Sequence, residues 1–241
     1  ASSWFNIGGF SFQPSEFGKI ALVLFMAYSL NLLQAKNRKE INKIYKLLAI
    51  LGVAAVPILL IVKEPDFGTA TAYIFATLFI LFVSGINKRY IVLAILAVAI
   101  LLPIVYLHPE SDPRGSGYNI IQSKLAIGAG QIFGMGLLQG NQTQLGYLHP
   151  KTTDFIFSAI GEEMGFVIGA VIIITYVILI TKIIYIAKTA KDNVGSYISI
   201  GVAGIPLPFV SYGGSSLLTN LICIGLVLNI SARRQKAIFI E

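Results

Sequence analysis

The sequence predicts an all-α, polytopic integral membrane protein built as a helical bundle, and two observations lead to this fold class. Of the 241 residues, 56% are hydrophobic and only 12% are charged, and the mean hydropathy is +0.79. Soluble domains contain about 25% charged residues. Apolar runs close to the roughly 20 residues that cross a bilayer also recur along the chain. This composition excludes a soluble cofactor enzyme.

Six apolar runs are the predicted membrane spans. They are Phe17–Leu33, Tyr45–Val62, Thr69–Gly85, Tyr90–Leu107, Gly165–Ala187 and Leu217–Ile230. The last run is short, and the small residues before it extend it. We treat residues 1–241 as a single membrane domain, with a large loop at 108–161 between the fourth and fifth spans.

The basic residues, which give a net charge of +7, cluster after the first, third, fifth and sixth spans. The positive-inside rule places these ends in the cytoplasm, so the charge reflects topology rather than nucleic-acid binding. Lys191 and Arg233 are then on the same side of the membrane, although only one full predicted span lies between them. The intervening Tyr197–Phe209 stretch would rise roughly 20 Å, which is too short to cross. We expect a re-entrant segment or, preferably, a missing segment near 203–204.

The predicted outer loop at 108–161 contains a glycine-rich but apolar stretch at Gln122–Gly140. The stretch is neither a Walker loop nor a dinucleotide-binding fingerprint, so no organic cofactor is expected. Small residues four apart allow helices to approach closely. Two interpretations stay open, namely tight packing of a half-inserted helix and a surface that admits a lipid chain or a sugar.

Carboxylates gather on the predicted outer face, near the ends of spans. For Asp66 and Asp154 the structural interpretation is helix N-capping, where Asp is strongly preferred. Several acids at one depth nevertheless favour function, because ionisable groups near the apolar zone are costly. Lys19 lies three residues after Glu16, and it either pairs with that Glu or binds a phosphate.

The segment Gly204–Ser216, GIPLPFVSYGGSS, combines Gly, Pro and Ser between long apolar runs. Irregular backbone of this kind is tolerated only at a membrane edge or beside a polar cavity. The segment therefore indicates polar chemistry inside a membrane protein, with re-entrant loop packing as the structural alternative.

Four blocks together resemble the SEDS proteins (shape, elongation, division and sporulation), the group of RodA, FtsW and SpoVE. They are Trp4–Lys19, Lys63–Ala70, Gln122–Phe166 and Gly204–Ser216, and they cover nearly the whole chain. The TDFIF…GEE sequence and GIPLPFVSYGGSS are highly specific, and NQTQLGYL is more similar to the RodA branch. Family members have about ten spans, so the resemblance implies that the first two spans and a segment before GIPLPF are missing here.

The resemblance implies a peptidoglycan glycosyltransferase that polymerises lipid II, with inversion at the anomeric carbon. Asp154 matches the family's essential aspartate and is the expected general base on the acceptor 4-hydroxyl. The expected substrate-binding residues are Glu16, Lys19, Asp66, Gln122, Lys124, Ser211, Tyr212, Ser215 and Ser216. A divalent cation, Mg²⁺ or Mn²⁺, is expected to share the work of the lysines at the leaving pyrophosphate, with ligands that the sequence does not assign.

The resemblance also implies a class B penicillin-binding protein, a single-pass transpeptidase, as partner, and the bacterial cytoplasmic (inner) membrane as the location. The active site would lie on the extracytoplasmic face. Two alternatives stay open: a flippase or other transporter for the same lipid, and a division-type scaffold without turnover. A transporter needs a polar pathway to both faces, whereas the span interiors contain almost no charges.

Overall fold

The structure is a computed structural model, and it describes residues 5–7, 10–64, 66–87, 89–90, 92–93, 96, 116–147, 155–205 and 214–235. The chain forms two compact units. The first contains Ala1–Ala94, Ile180–Pro208 and Gly214–Glu241, and the second contains Ile95–Leu179 and Phe209–Gly213. The predicted helical bundle is confirmed, with one small hairpin in addition. The single membrane domain over 1–241 stays a prediction.

The first unit begins with a hairpin and continues as a bundle of apolar helices. Strands β1 (Phe5–Ile7) and β2 (Phe10–Phe12) pair antiparallel, with Phe5 opposite Phe12. The helices follow as α1 (Pro14–Leu33), a 3₁₀ turn (Arg38–Asn42), α2 (Ile44–Lys63), α3 (Phe67–Val83), α7 (Asn193–Ala203) and α8 (Gly214–Gln235). Pro14 occupies the first turn of α1, where its missing N–H costs nothing.

The second unit contains α4 (Ser116–Ala129), the short α5 (Asn141–Gln144) and the first part of α6 (Ile156–Lys188). The last residues of α6, from Ile180, belong to the first unit. Gly165 interrupts α6 with φ of 77° and ψ of −176°, a backbone conformation that is open to glycine and unfavourable for other residues. The predicted fifth span, which starts at Gly165, therefore starts at the kink of a longer helix.

Helix α7 lies in the core of the first unit, packed against α1, α3 and α8. Glycines in α7 and directly after it permit this close packing. A Cβ atom on Gly204 would come within 2.7 Å of the Cα of Ala76, and one on Gly201 within 2.8 Å of side-chain atoms of Val23 and Ile80. Eleven residues rise about 16 Å, which is roughly half of a bilayer core. Because Ala76 lies in the middle of α3, α7 ends midway along that helix.

One end of the first unit is basic and is held together by a buried hydrogen-bond network. The fully buried Tyr197 hydroxyl donates to Gln34 Oε1 at 2.6 Å, and Gln34 Nε2 donates to the Ser84 carbonyl at 2.6 Å. The Arg38 guanidinium lies 5.8 Å from the Tyr197 ring centre, a cation–π distance. The network joins the end of α1, the end of α3 and the beginning of α7.

The structure bears out most of the predicted spans. Helices α1, α2, α6 and α8 are long and apolar enough to cross a membrane, and α3 is a shorter apolar helix. The fourth predicted span, Tyr90–Leu107, lies almost entirely outside the described residues. Lys191 and Arg233 line one groove, so they lie at the same end of the first unit, as the charge pattern requires. The segment missing near 203–204 stays a prediction.

Candidate functional site

The end of the first unit where α1 begins carries a cluster of buried polar side chains. At its centre, Lys19 Nζ donates to Glu16 Oε1 at 2.6 Å, three residues earlier on the same helix. The Lys19 side chain is only 10% exposed and that of Glu16 only 13%. The pair therefore lies in a largely desolvated position, where each charge depends on the other.

Asp66 has both of its carboxylate oxygens engaged. Oδ1 accepts the backbone N–H of Thr69 at 3.0 Å, which caps α3, and Oδ2 accepts from Gln13 Nε2 at 3.3 Å. The capping interpretation is therefore observed, and the second oxygen ties α3 to the residue that begins α1. Asp66 joins the Glu16 cluster by way of Gln13 rather than through an ion pair of its own in the described chain.

Ser215 connects the same cluster to α8. Its hydroxyl oxygen accepts the backbone N–H of Gln13 at 3.3 Å, and the residue is fully buried. Ser216, next in the first turn of α8, is partly exposed. Two hydroxyls of the SYGGSS sequence thus take different positions, one inside the protein and one at its surface. Ser211 and Tyr212 lie outside the described residues.

Tyr73 is a member of this cluster that sequence reasoning missed. Its hydroxyl donates to the Ser15 carbonyl at 2.8 Å, and the side chain is almost fully buried. A Cβ on Gly18 would lie 2.2 Å from that hydroxyl, so glycine makes room for the tyrosine. The available signal was a polar-tipped aromatic residue in a span, since buried tyrosines usually find a hydrogen-bond partner.

The other predicted site residues belong to the second unit or lie outside the described residues. Lys124 on α4 is exposed, whereas Gln122 has a buried Oε1 without a hydrogen-bond partner in the described part of the chain. An unpaired buried amide oxygen is costly, so a ligand or water there would be favourable. Asp154, the predicted general base, lies just before the described segment that starts at Phe155.

Glu162 caps the short helix α5, which directly follows the glycine-rich stretch, and the sequence did not reveal this role. The residue is fully buried, and its two carboxylate oxygens accept the backbone N–H groups of Gln142 at 2.7 Å and Thr143 at 3.0 Å. The neighbouring Glu163 accepts the Thr143 hydroxyl at 3.1 Å and the Leu138 backbone N–H at 3.1 Å. The two glutamates of the GEE sequence therefore hold backbone N–H groups of the preceding loop and of α5 in place.

The glycines of this loop permit close backbone contact with α6. A Cβ on Gly130 would lie 1.8 Å from the Gly161 carbonyl oxygen, and one on Gly134 2.3 Å from that of Glu163. The tight-packing interpretation of the small residues is thus confirmed for Gly130 and Gly134. A Cβ on Gly136 would instead lie 3.2 Å from the side-chain Oε1 of Gln139. The loop is a backbone platform with its large apolar side chains exposed, among them Phe133 and Leu138.

The described residues do not by themselves form a divalent-cation site. No three His, Cys, Asp or Glu side chains cluster within the described ranges. Among the described carboxylates that were predicted as site residues, Glu16 is paired with Lys19, and Asp66 uses both oxygens within the protein. This geometry suits a fixed ammonium group better than a metal ion, and the cation stays a prediction.

Comparisons with known proteins agree with the four sequence blocks. The FtsW/RodA/SpoVE family profile, described as "Cell cycle protein", matches residues 1–203 and 200–236. A probable peptidoglycan glycosyltransferase FtsW of Trichlorobacter lovleyi is 38% identical over 96% of this chain and 69% of its own length. The peptidoglycan glycosyltransferase MrdB of Escherichia coli is 36% identical over 98% and 72%. Stage V sporulation protein E of Bacillus subtilis is 35% identical over 95% and 71%.

Two solved structures have a similar fold. A chain of a peptidoglycan synthase complex that coordinates polymerization and crosslinking aligns with a TM-score of 0.72 at 26% identity, over 96% of this chain and 73% of that one. The rod shape determining protein RodA of Thermus thermophilus aligns with a TM-score of 0.65 at 26% identity, over 97% and 70%.

Proposed function

Because the chain belongs to the FtsW/RodA/SpoVE family of cell cycle proteins, the SEDS family, we propose that it is a peptidoglycan glycosyltransferase. Its substrate is lipid II, which it polymerises into β-1,4 glycan strands on the outer face of the bacterial cytoplasmic membrane. The NQTQLGYL sequence supports assignment to the RodA branch, and hence to cell elongation and shape.

The observation that carries the proposal is the polar cluster around Glu16, Lys19 and Asp66, together with its position. It lies at the end of the first unit opposite the basic end that contains Arg38 and Lys46. The positive-inside rule assigns the basic end to the cytoplasm. The buried cluster then belongs at the outer end of the bundle, where lipid-linked sugars are polymerised.

In the reaction, Asp154 takes the proton of the acceptor 4-hydroxyl as that oxygen attacks the anomeric carbon of the donor. A bond forms between the acceptor oxygen and that carbon, and the bond to undecaprenyl pyrophosphate breaks. Attack on the face opposite the leaving group converts the α-linked donor into a β-linkage. The leaving pyrophosphate gains negative charge, which a positioned cation stabilises.

The remaining predicted site residues take separate roles in this proposal. Lys19, fixed by Glu16, supplies positive charge to the pyrophosphate, and the exposed Lys124 is the alternative source of that charge. The sugars are hydrogen-bonded by Gln122 and by the polar residues of the SYGGSS sequence, Ser211, Tyr212 and Ser216. Asp66 and Ser215 keep α1, α3 and α8 in register, since both side chains bond to Gln13.

The partner is a class B penicillin-binding protein, a single-pass transpeptidase that crosslinks the new strands. The similarity to a chain of a synthase complex that coordinates polymerization with crosslinking supports this assignment.

The test compares the purified protein with its Asp154→Asn variant, each bound to the transpeptidase partner and supplied with lipid II. Products are resolved on a glycan-length gel, with and without added Mg²⁺ or Mn²⁺. We expect polymer from the original protein and none from the variant, because asparagine cannot accept the proton. Glu64→Gln is the matched control, since Glu64 is an exposed acid beyond the end of α2.

Three outcomes contradict parts of the proposal. Equal polymer from both proteins would exclude Asp154 as the base. No polymer from either protein, with lipid II that another polymerase consumes, would favour the flippase or scaffold instead. Equal polymer with and without Mg²⁺ or Mn²⁺, after chelation, would remove the divalent cation from the mechanism.

A further inference from the structure

A groove lies between the beginning of α7 and the end of α8, at the basic end of the first unit. Its volume is about 540 Å³. Lys191, Asn229 and Arg233 line it together with the apolar side chains of Ile198, Leu226 and Ile230. The two helices run in opposite directions, since α7 starts where α8 ends, so their charged ends meet at one rim of the groove.

The rim of the groove is positively charged. Lys191 and Arg233 are both exposed, and neither forms an ion pair within the described residues. Asp192 also lines the groove, but its Oδ1 accepts the backbone N–H of Gly195 at 3.1 Å and caps α7. The groove is therefore lined by two basic side chains and one carboxylate, and that carboxylate already accepts a hydrogen bond from the backbone of α7.

The groove changes from charged to apolar along its length. On α8, Arg233 follows Ile230 and Leu226 by about one and two turns, and on the other side Lys191 precedes α7 while Ile198 lies inside it. The apolar span of α8 ends at Arg233, so the rim lies where the helix leaves the membrane. A ligand that fits has an anionic head and an apolar tail.

We propose that this groove binds an anionic phospholipid, with its phosphate between Lys191 and Arg233 and an acyl chain along Ile198, Leu226 and Ile230. Basic pockets between helices at the cytoplasmic side of membrane proteins bind anionic lipid headgroups in this way. The site is separate from the polar cluster at the other end of the first unit. It does not depend on glycosyl transfer.

Native mass spectrometry of the purified chain in a neutral detergent tests the proposal. Dioleoyl phosphatidylglycerol, dioleoyl phosphatidylcholine and inorganic phosphate are titrated separately, and the bound fraction is read from the mass. We expect one tightly bound phosphatidylglycerol per chain. The Lys191→Gln, Arg233→Gln double variant should bind it about 30-fold more weakly, because two positive charges are lost near the membrane surface.

Two further variants separate the site from general charge and from folding. Lys36→Gln with Lys39→Gln removes the same charge from exposed positions after α1 and should bind phosphatidylglycerol as the original chain does. Lys191→Arg with Arg233→Lys keeps both charges and should also bind normally. Three results would each overturn the proposal. Phosphatidylcholine could bind as tightly as phosphatidylglycerol, or the Lys36 and Lys39 control could lose as much phosphatidylglycerol binding as the Lys191 and Arg233 variant. The third result is unchanged phosphatidylglycerol binding in the Lys191→Gln, Arg233→Gln variant. Inorganic phosphate that binds as tightly as phosphatidylglycerol would overturn the lipid as ligand.

Discussion

Removing one member of the Glu16–Lys19 pair should destabilise the protein far more than removing both. Lys19 Nζ lies 2.6 Å from Glu16 Oε1, and the side chains of Lys19 and Glu16 are 10% and 13% exposed. Removal of one partner from a buried pair costs about 3–5 kcal/mol, because the other charge stays buried and uncompensated. An exposed pair would contribute only about 0–1 kcal/mol. Because both side chains are so little exposed, the Glu16–Lys19 pair should behave as a buried pair.

The experiment is a double-mutant cycle with Lys19→Met, Glu16→Gln and the combined variant. We expect each single change to lower the free energy of unfolding by about 3 kcal/mol, and the combined change to lower it by ~1 kcal/mol, since no lone charge remains. Unfolding is measured by denaturant titration in mixed micelles. Lys63→Met and Glu64→Gln, at exposed positions where α2 ends, are the matched controls.

The same cycle separates a structural pair from a catalytic one when glycan polymerisation is measured in parallel. If the pair only holds the helices in register, the combined variant regains activity together with stability. If Lys19 contacts the pyrophosphate, the combined variant is stable and inactive. Single variants that unfold no more easily than the Lys63 and Glu64 controls would refute the reasoning from burial.

Three further predictions concern packing, hydrogen bonding and pH. Gly130→Ala should destabilise the second unit by about 1–3 kcal/mol in thermal unfolding, because the new Cβ would clash with the backbone of Gly161. The control Gly128→Ala should not destabilise it, because no atom lies within 4 Å of the position of its new Cβ. Tyr197→Phe should cost about 1–3 kcal/mol by the same measurement, since it leaves a buried amide oxygen unpaired, and the exposed Tyr45→Phe should be neutral. Hydrogen bonds from Lys46 and Lys43 lower the pKa of the Glu40 carboxylate below its ordinary value. The stabilising contribution of Glu40 is therefore present above that ordinary pKa and is lost as the pH falls through the lowered pKa. Acid titration of unfolding should therefore show less pH dependence in Glu40→Gln, and identical acid profiles would contradict the assignment.

Much of the fold could be predicted from sequence because its signals are local. Apolar runs of span length predicted α1, α2 and α8 to within a few residues, since a helix in lipid must satisfy its own backbone. The clusters of Lys and Arg correctly placed Lys191 and Arg233 at one end. Residue-type preference also predicted the Asp66 cap, because that bond reaches only three residues along the chain.

The site could be predicted only as a set of residues. The sequence alone determined that this is a polytopic membrane protein, and its four motif blocks determined the family. Tertiary structure decided that Ser215 bonds to the Gln13 backbone, 202 residues away, and that Glu162 caps the first turn of α5. It also placed α7 in the core, where it ends midway along α3. Such pairings depend on which helices become neighbours, whereas a hydropathy pattern specifies only that each helix lies in the membrane.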